Sequence, residues 1–261
     1  MVWKRLIQIA VLPCCILVWT GCGGHSINPA RLSSEEQFEY AKKLFDRGKF
    51  DDAKLQFSII VLNNSGNRII EKAQFYLAES YYGLKDYITA SSEYEKLIRS
   101  MPQSGFVDDA AYKIGMCYLE LAPSYGLDQE YTLKANEQFE RFLEDYPDSE
   151  LKTEAASRLA EVRNKLAKKE FKTGELYYKL QYDKAALISF DALLASYPDT
   201  EWADDACFYK GESHRRLHEW DKARQAYETV MTKYRSGPFS SRAEQKLKEM
   251  VKEQAKAQPG S

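Results

Sequence analysis

The sequence is poor in the residues that most catalytic and metal sites require. It contains three histidines, and their positions support no Ser/His/Asp or Cys/His arrangement. His214 and His218 have metal-ligand spacing, but two ligands are too few, and Cys207 lies about 10 Å from His214 along a helix. There is also no glycine-rich phosphate loop. We therefore expect no enzyme, no metal site and no cofactor.

The chain has neither a large net charge nor, after residue 22, a long apolar run. The formal net charge is -2, so no basic excess is present to neutralise phosphates, and nucleic acid is not an expected partner. After residue 22, no apolar run approaches the roughly 20 residues of a membrane-spanning helix. Cys117 and Cys207 fall within helical patterns of different repeats, where we expect small buried side chains rather than a disulfide.

A charged and then apolar segment stands at the start of the chain. Lys4 and Arg5 precede a nearly continuous apolar run from Leu6 to Trp19. Such a segment is typical of a secretory signal peptide, because it is too short and too rich in flanking glycine for a transmembrane anchor. The sequence predicts a signal peptide over residues 1–21.

The end of this segment, Thr20-Gly21-Cys22-Gly23, resembles a bacterial lipobox. In a lipobox, the cysteine becomes the first mature residue and carries acyl chains such as palmitate. We expect lipidation at Cys22 and a flexible, lipidated tether over residues 22–32. Because no aspartate follows the cysteine, the same resemblance implies sorting to the outer membrane, with the mature chain facing the periplasm.

The rest of the chain repeats one helical pattern. An alanine followed four residues later by an aromatic residue occurs five times, and this spacing places both side chains on one helix face. A small residue precedes most of these alanines by twelve positions, and the third unit has about eight extra residues there. Paired helices that approach closely at small residues, with a period near 34, indicate tetratricopeptide repeats. The pairs are Ala53/Phe57, Ala90/Tyr94, Ala135/Phe139, Ala186/Phe190 and Ala223/Tyr227.

The predicted fold is an all-α tetratricopeptide-repeat superhelix of five helix pairs with a C-terminal capping helix. The repeats are assigned to residues 34–65, 71–102, 108–147, 167–198 and 204–235. We expect an N-terminal part with repeats 1–3 over 33–147, and a second part with a long joining helix, repeats 4–5 and the capping helix over 148–254. A disordered tail is expected over 255–261.

Two local features sharpen this prediction. The segment from about Ser149 to Tyr178 contains no proline, so we expect one continuous helix that spaces two separate binding modules. Tyr182 precedes its repeat alanine by four positions, whereas Phe50, Tyr87 and Trp220 precede theirs by three. This difference indicates one extra residue in the fourth turn.

The first helices carry candidate residues for binding an extended peptide. In this architecture first helices line the concave surface, where aromatic rings can form a peptide groove. The candidates are Phe38, Phe45, Phe75 and Tyr82. The alternative is that a ring packs between adjacent helices, and we favour it for Phe38 and Phe75. For Phe45 and Tyr82 we expect partial exposure.

The last repeat carries candidate residues for binding a partner protein. Tryptophan and arginine are over-represented among residues that dominate stable interfaces. The candidates are Arg215, Arg216, Trp220 and Arg224. The alternative for Trp220 is that it fills the repeat slot of Phe50 and Tyr87, whereas the arginines have no packing role in the repeat pattern.

The mature chain resembles the BamD family of outer-membrane assembly lipoproteins. The resemblance rests on Cys22, five repeats, the insertion at 120–132, and the turns that begin Tyr146-Pro-Asp-Ser and Tyr197-Pro-Asp-Thr. It implies a non-enzymatic scaffold for folding β-barrels into the outer membrane. Its C-terminal repeats would dock on a BamA-type protein, and its N-terminal repeats would meet unfolded barrel precursors.

Other assembly lipoproteins are further candidate partners under this resemblance, and the lipid anchor would provide contact with the membrane. A second interpretation stays open. A different periplasmic tetratricopeptide adaptor lipoprotein, one that coordinates cell-wall or envelope assembly, would share the fold and the anchor.

Overall fold

The computed structural model describes residues 32–63 and 68–257, and every regular element in these ranges is an α-helix. The signal peptide, Cys22 and the tether up to residue 31 lie outside the described residues. Eleven helices are formed in the described ranges. They are α1 (Ser34–Asp46), α2 (Phe50–Asn63), α3 (Ile69–Gly83), α4 (Tyr87–Ser100), α5 (Val107–Leu121), α6 (Glu130–Asp145), α7 (Lys152–Lys179), α8 (Asp183–Ser196), α9 (Ala203–Arg216), α10 (Trp220–Lys233) and α11 (Ser240–Ala257).

The buried side chains confirm the predicted tetratricopeptide register. All five repeat alanines and the five aromatic residues that follow them are fully buried. The aromatic ring of each second helix packs on the small residue of the first. A Cβ added at Gly174 would lie 2.5 Å from the Phe190 ring, and one added at Gly211 would lie 2.7 Å from the Tyr227 ring. Glycine at these positions therefore sets the distance between the paired helices.

The turns inside repeats 1, 2, 4 and 5 share one backbone geometry. Each has three residues between its helices, and the middle residue has a positive φ. This left-handed residue directly follows the helix C-cap and reverses the chain. The residues are Gly48 (φ 72°), Lys85 (62°), Gln181 (63°) and His218 (60°).

The fourth turn is no longer than the others, so the predicted extra residue there is wrong. Five positions separate Gln181 from Ala186, as they separate Gly48 from Ala53. The aromatic residue has instead moved to Tyr182, the N-cap of α8. Asp183 consequently occupies the first helical position, which Phe50, Tyr87 and Trp220 occupy elsewhere.

The predicted continuous helix is confirmed as α7. It has 28 residues and is about 42 Å long at 1.5 Å per residue. Its first half buries Ala155, Val162 and Leu166 against the aromatic side chains of α6, and its second half buries Ala167 and Phe171 against α8. Each half of α7 therefore packs as a first helix does, which explains a length of about two ordinary helices.

Contacts join the two parts of the chain across α7. Arg163 lies 3.4 Å from Glu140 of α6 and 2.6 Å from Asp199, which follows α8. The connection over 122–129 is also tied to α7, because Lys165 donates to the Ala122 carbonyl and Lys169 to the Leu127 carbonyl. Helix α7 therefore contacts both parts of the chain, and the separate binding of two modules stays a prediction.

Helix α11 covers the open side of the last pair. Ala243 and Met250 are fully buried in one cluster with Phe208 and Tyr227. This packing is that of the predicted capping helix. The helix continues to Ala257, so the first three residues of the expected disordered tail are helical, and residues 258–261 lie outside the described residues.

Cys117 and Cys207 are buried, as predicted, and are free thiols in different clusters. Burial raises the pKa of Cys117 to about 12 and that of Cys207 to about 11. His214 is also buried, and its Nδ1 lies 2.7 Å from a Glu219 carboxylate oxygen. Among the described residues, no group of three or more His, Cys, Asp or Glu side chains is placed to hold a metal ion.

Candidate interaction surfaces

Phe45 and Tyr82 are partly exposed at equivalent positions near the ends of α1 and α3, as predicted. The Phe45 ring centroid lies 5.3 Å from that of Phe50, and the Tyr82 centroid lies 5.1 Å from that of Tyr87. A lysine lies near each ring: Lys42 Nζ is 5.8 Å from the Phe45 centroid, and Lys113 Nζ is 4.8 Å from that of Tyr82. The two rings thus offer partly exposed apolar faces beside lysines that are ion-paired within the chain, Lys42 with Asp46 and Lys113 with Glu79.

Phe38 lies deeper than Phe45 and Tyr82, whereas Phe75 is partly buried as they are. Phe38 is 7% exposed, and its ring packs against Phe57 at 5.6 Å and Tyr76 at 5.8 Å between centroids. Phe75 is half-buried and stacks on Phe106 at 5.0 Å. Both rings pack between adjacent helices, which is the alternative favoured from the sequence, and Phe38 has little surface left for a peptide.

Arg215 is held inside the last repeat. Its guanidinium lies 3.2 Å from Glu212 on the same helix and 3.1 Å from Glu253 of α11. Glu212 in turn accepts a hydrogen bond from the Tyr227 hydroxyl. Burial and this contact raise the pKa of Tyr227. Arg215 therefore neutralises a buried carboxylate and fastens the capping helix.

Arg216 joins repeats 4 and 5. Its guanidinium lies 3.6 Å from the centroid of the Tyr178 ring, donates to the Tyr178 carbonyl at 2.8 Å, and is 3.4 Å from Asp183. Between repeats 1 and 2 the equivalent contact is apolar, because the Phe50 ring lies against Gly83. Gly83 follows the small residue Ala78 by five positions, as Arg216 follows Gly211. The expectation that Arg215 and Arg216 have no packing role is wrong, since both have specific partners inside the chain.

Trp220 and Arg224 lie on α10. Trp220 is partly buried at the edge of the last cluster, and its ring centroid lies 5.4 Å from that of His218. It fills the slot of Phe50 and Tyr87, which is the alternative considered from the sequence. Arg224 is exposed, one residue after the buried Ala223.

Four exposed apolar side chains that the sequence interpretation missed lie at the end of α7 and the start of α8. Each has more than half of its surface exposed, and we call this set the α7–α8 surface. Its members are Leu176, Leu180, Tyr182 and Ile188. The usable signal was the repeat register, because these residues stand at positions that the repeat does not bury. Once the turn register is known, their exposure follows.

Comparison with known proteins identifies the family of the chain. The family model described as YfiO, outer membrane lipoprotein, matches residues 31–230. The chain belongs to the YfiO family. This assignment confirms the resemblance drawn from the repeats, the insertion and the Tyr-Pro-Asp turns.

Relatives of this YfiO-family chain are named as assembly factors. The chain is similar to the outer membrane protein assembly factor BamD of Rickettsia prowazekii, with 24% identity over 188 residues, 72% of this chain and 74% of that protein. It is also similar to BamD of Xylella fastidiosa strain Temecula1, with 25% identity over 236 residues, 85% of this chain and 80% of that protein.

The tetratricopeptide protein YrrB shares 18% identity, with a TM-score of 0.38 over 76% of this chain and 85% of that chain. Among the described helices, none combines the length and the apolar character needed to cross a membrane.

Proposed function

We propose that this YfiO-family chain is a non-enzymatic scaffold of outer-membrane β-barrel assembly. Acyl chains on Cys22 anchor it to the outer membrane, and its repeats face the periplasm. The names of its relatives support the assembly role. The structural observation that supports it best is the presence of two unlike surfaces on one continuous array of helices.

The first surface binds unfolded barrel precursors. Phe45 and Tyr82 present partly exposed rings beside the ion pairs Lys42–Asp46 and Lys113–Glu79, and an extended peptide with alternating apolar and polar side chains suits this combination. Barrel strands alternate in this way. Phe38 and Phe75 pack against other rings of the repeats and contribute less to this surface.

The second surface binds the periplasmic part of a BamA-type protein. The α7–α8 surface is apolar and exposed, and exposed apolar patches on soluble domains commonly mark protein interfaces. Trp220 and Arg224 extend the set of candidate contacts into the last repeat. Arg215 and Arg216 act indirectly, because they hold α11 and join repeats 4 and 5.

Two double variants test this division. Phe45→Ala with Tyr82→Ala should weaken binding of a C-terminal barrel peptide and spare the partner. Leu180→Ser with Ile188→Gln should weaken binding to a purified periplasmic fragment of the partner and spare the peptide. Ile88→Ser removes one exposed apolar side chain from α4, outside both surfaces, and serves as the matched control. Equal loss of both ligands in each double variant would refute two separate surfaces.

The anchor has its own test. Cys22→Ala should leave the protein unprocessed or soluble in the periplasm, because two or three acyl chains give stable attachment where one is marginal. Acyl-chain labelling and membrane fractionation measure this. Normal acylation of the variant would contradict Cys22 as the lipid site.

A further inference from the structure

The outward face of the second helices differs between repeats. Residues two, six and nine positions after each repeat alanine share one face of the helix, within an arc of about 60°. Fourteen of these fifteen residues are exposed. In repeat 2 they are Ser92, Lys96 and Arg99, and repeats 3 and 5 are also polar there. Repeats 1 and 4 are apolar instead, and repeat 4 contributes Ile188 to the α7–α8 surface.

In repeat 1 these residues are Leu55, Ile59 and Leu62, which we call the α2 stripe. They are 57%, 37% and 77% exposed. The fold does not need them, because α2 buries a different face through Ala53, Phe57 and Ile60. The three positions tolerate polar residues in repeat 2 at the same place in the fold. Three aligned aliphatic side chains left in water therefore point to a contact outside the chain.

The stripe has a defined position relative to the predicted anchor. Helices α1 and α2 are antiparallel neighbours joined by a three-residue turn, so the start of α1 lies beside the end of α2. Ser33, which precedes α1, therefore lies at the same end of the helix pair as Leu62, the most exposed member of the stripe. Asp51 and Asp52 stand at the opposite end of α2. Leu62 is thus at the end of the pair to which the predicted tether is joined, and the two aspartates are at the other end.

The length of the tether keeps this end close to the membrane. Eleven residues, 23–33, separate Cys22 from Ser34, and a chain of that length spans at most about 40 Å. A side chain confined so near a bilayer has a high effective concentration there, so even weak partitioning is sufficient for contact. Aliphatic side chains without hydrogen-bonding groups suit the lipid interface.

We propose that the α2 stripe contacts the lipid surface to which Cys22 is attached. This inference rests on the proposed acylation of Cys22. The contact gives the anchored protein a fixed orientation, with the outer face of repeat 1 against lipid. The first-helix rings Phe45 and Tyr82 then stay turned towards the periplasm, where a precursor peptide reaches them.

The test uses the full acylated protein in phosphatidylethanolamine and phosphatidylglycerol vesicles. An environment-sensitive fluorophore is placed on Asn63→Cys or on Asp52→Cys, two exposed positions beside the stripe at its opposite ends. The native thiols Cys117 and Cys207 are buried and react slowly. A quencher carried on lipid acyl chains should quench the label at position 63, and aqueous iodide should quench the label at position 52.

The decisive variant gives repeat 1 the neutral outward residues of repeat 5. Leu55→Gln, Ile59→Thr and Leu62→Thr together should lower lipid quenching at position 63 by about tenfold, the change expected from losing partial burial of three aliphatic side chains. The matched control is Ile188→Gln with Ala192→Thr and Ala195→Thr, which gives repeat 4 the residues of repeat 5. It should leave the quenching unchanged.

Three results would overturn the inference. In the first, iodide quenches the label at position 63 as readily as the label at position 52. In the second, lipid quenching at position 63 survives the triple variant. In the third, protection of the label at position 63 from iodide depends on protein concentration or on an added partner. The last result would assign the stripe to a second copy or to a protein. Mass spectrometry separates the proposals, since an unacylated Cys22 refutes anchor and stripe together, whereas an acylated chain with a water-exposed label refutes the stripe alone.

Discussion

Repeats 2 and 5 both bury a tyrosine hydroxyl beside a glutamate, and they neutralise that glutamate with different cations. Both carry tyrosine where repeats 1, 3 and 4 carry phenylalanine, and the buried hydroxyl donates to a glutamate of the first helix. The pairs are Tyr94–Glu79 and Tyr227–Glu212. In repeat 2 the nearby cation is Lys113, which lies 2.8 Å from Glu79 and belongs to the following repeat. In repeat 5 it is Arg215, from the same helix as Glu212.

The difference shows how an array of repeats ends. A largely buried carboxylate needs a nearby cation, and an inner repeat receives it from its neighbour. The described residues after repeat 5 form the single helix α11, so this repeat supplies its own arginine. Arg215 also donates from Nη1 to Glu253, so the same side chain balances the charge and contacts the cap.

The largest expected effect comes from removing the carboxylates. Glu212→Ala should lower the free energy of unfolding by about 3 kcal/mol, because the Tyr227 hydroxyl and Arg215 lose a buried partner. Glu79→Ala should cost about 1–2 kcal/mol, since the Glu79 side chain is 15% exposed against 8% for Glu212. Denaturant unfolding of the full chain measures both.

Conservative variants control this comparison. Glu212→Gln and Glu79→Gln keep an acceptor for the tyrosine hydroxyl, so each should cost less than its alanine variant. An equal loss for both alanine variants, or a greater loss in repeat 2, would contradict the idea that the end of the array depends more on its internal ion pair.

The loss of stability from overpacking at the repeat alanines should be equal in repeats 2 and 5. Ala90→Leu and Ala223→Leu each place a bulky side chain at a fully buried helix crossing, which should cost about 1–3 kcal/mol by overpacking. Thermal unfolding of each variant measures it, and replacement of the exposed Ser92 by leucine is the control. Unchanged melting for both alanine variants would refute the repeat register.

The repeats were predictable from the sequence because they depend on the size of residues at regular spacings. A small residue opposite an aromatic ring, repeated at one spacing, specifies the helix pairs and the face that each buries. The absence of proline predicted the continuity of α7. The fourth turn was misread because Lys85, Gln181 and His218 adopt the left-handed conformation without glycine, and only Gly48 signals it.

The surfaces were predictable only in part. The repeat register indicated the partial exposure of Phe45 and Tyr82 and the packing of Phe38. The roles of Arg215 and Arg216 were not visible, because their carboxylate partners Glu253 and Asp183 stand 38 and 33 residues away. Pairing over such distances depends on which residues the superhelix brings together, and no local pattern reveals it.

The turns provide a smaller, stabilising comparison. Lys85→Gly should raise the free energy of unfolding by about 0.5–1 kcal/mol, because glycine adopts a positive φ without the steric cost of a side chain. His218→Gly should gain less, since it also removes the ring that contacts Trp220. Gly48→Ala should destabilise the chain. Chemical denaturation measures all three, and a loss of stability in Lys85→Gly would contradict the assignment of the turn.

The smallest expected effect concerns the cap. Glu253→Ala should cost about 0.5 kcal/mol or less, because the Glu253 side chain is 42% exposed and exposed ion pairs contribute little. Arg215 keeps Glu212 in this variant, so the charge balance of the repeat survives. The attachment of α11 then depends on Ala243 and Met250, which are fully buried.

The control for this variant lies on the same helix. Glu244 pairs with Lys248 within α11, and Lys248 lowers the pKa of its carboxyl without a charge interaction from Arg215, so Glu244→Ala should leave stability nearly unchanged. Hydrogen exchange of α11, together with denaturant unfolding, measures both variants. A loss above about 1 kcal/mol in Glu253→Ala alone would mean that the ion pair, rather than apolar packing, holds the cap. Repeat 5 would then depend on α11 as repeat 2 depends on Lys113 of its neighbour, and the distinction between the two repeats would disappear.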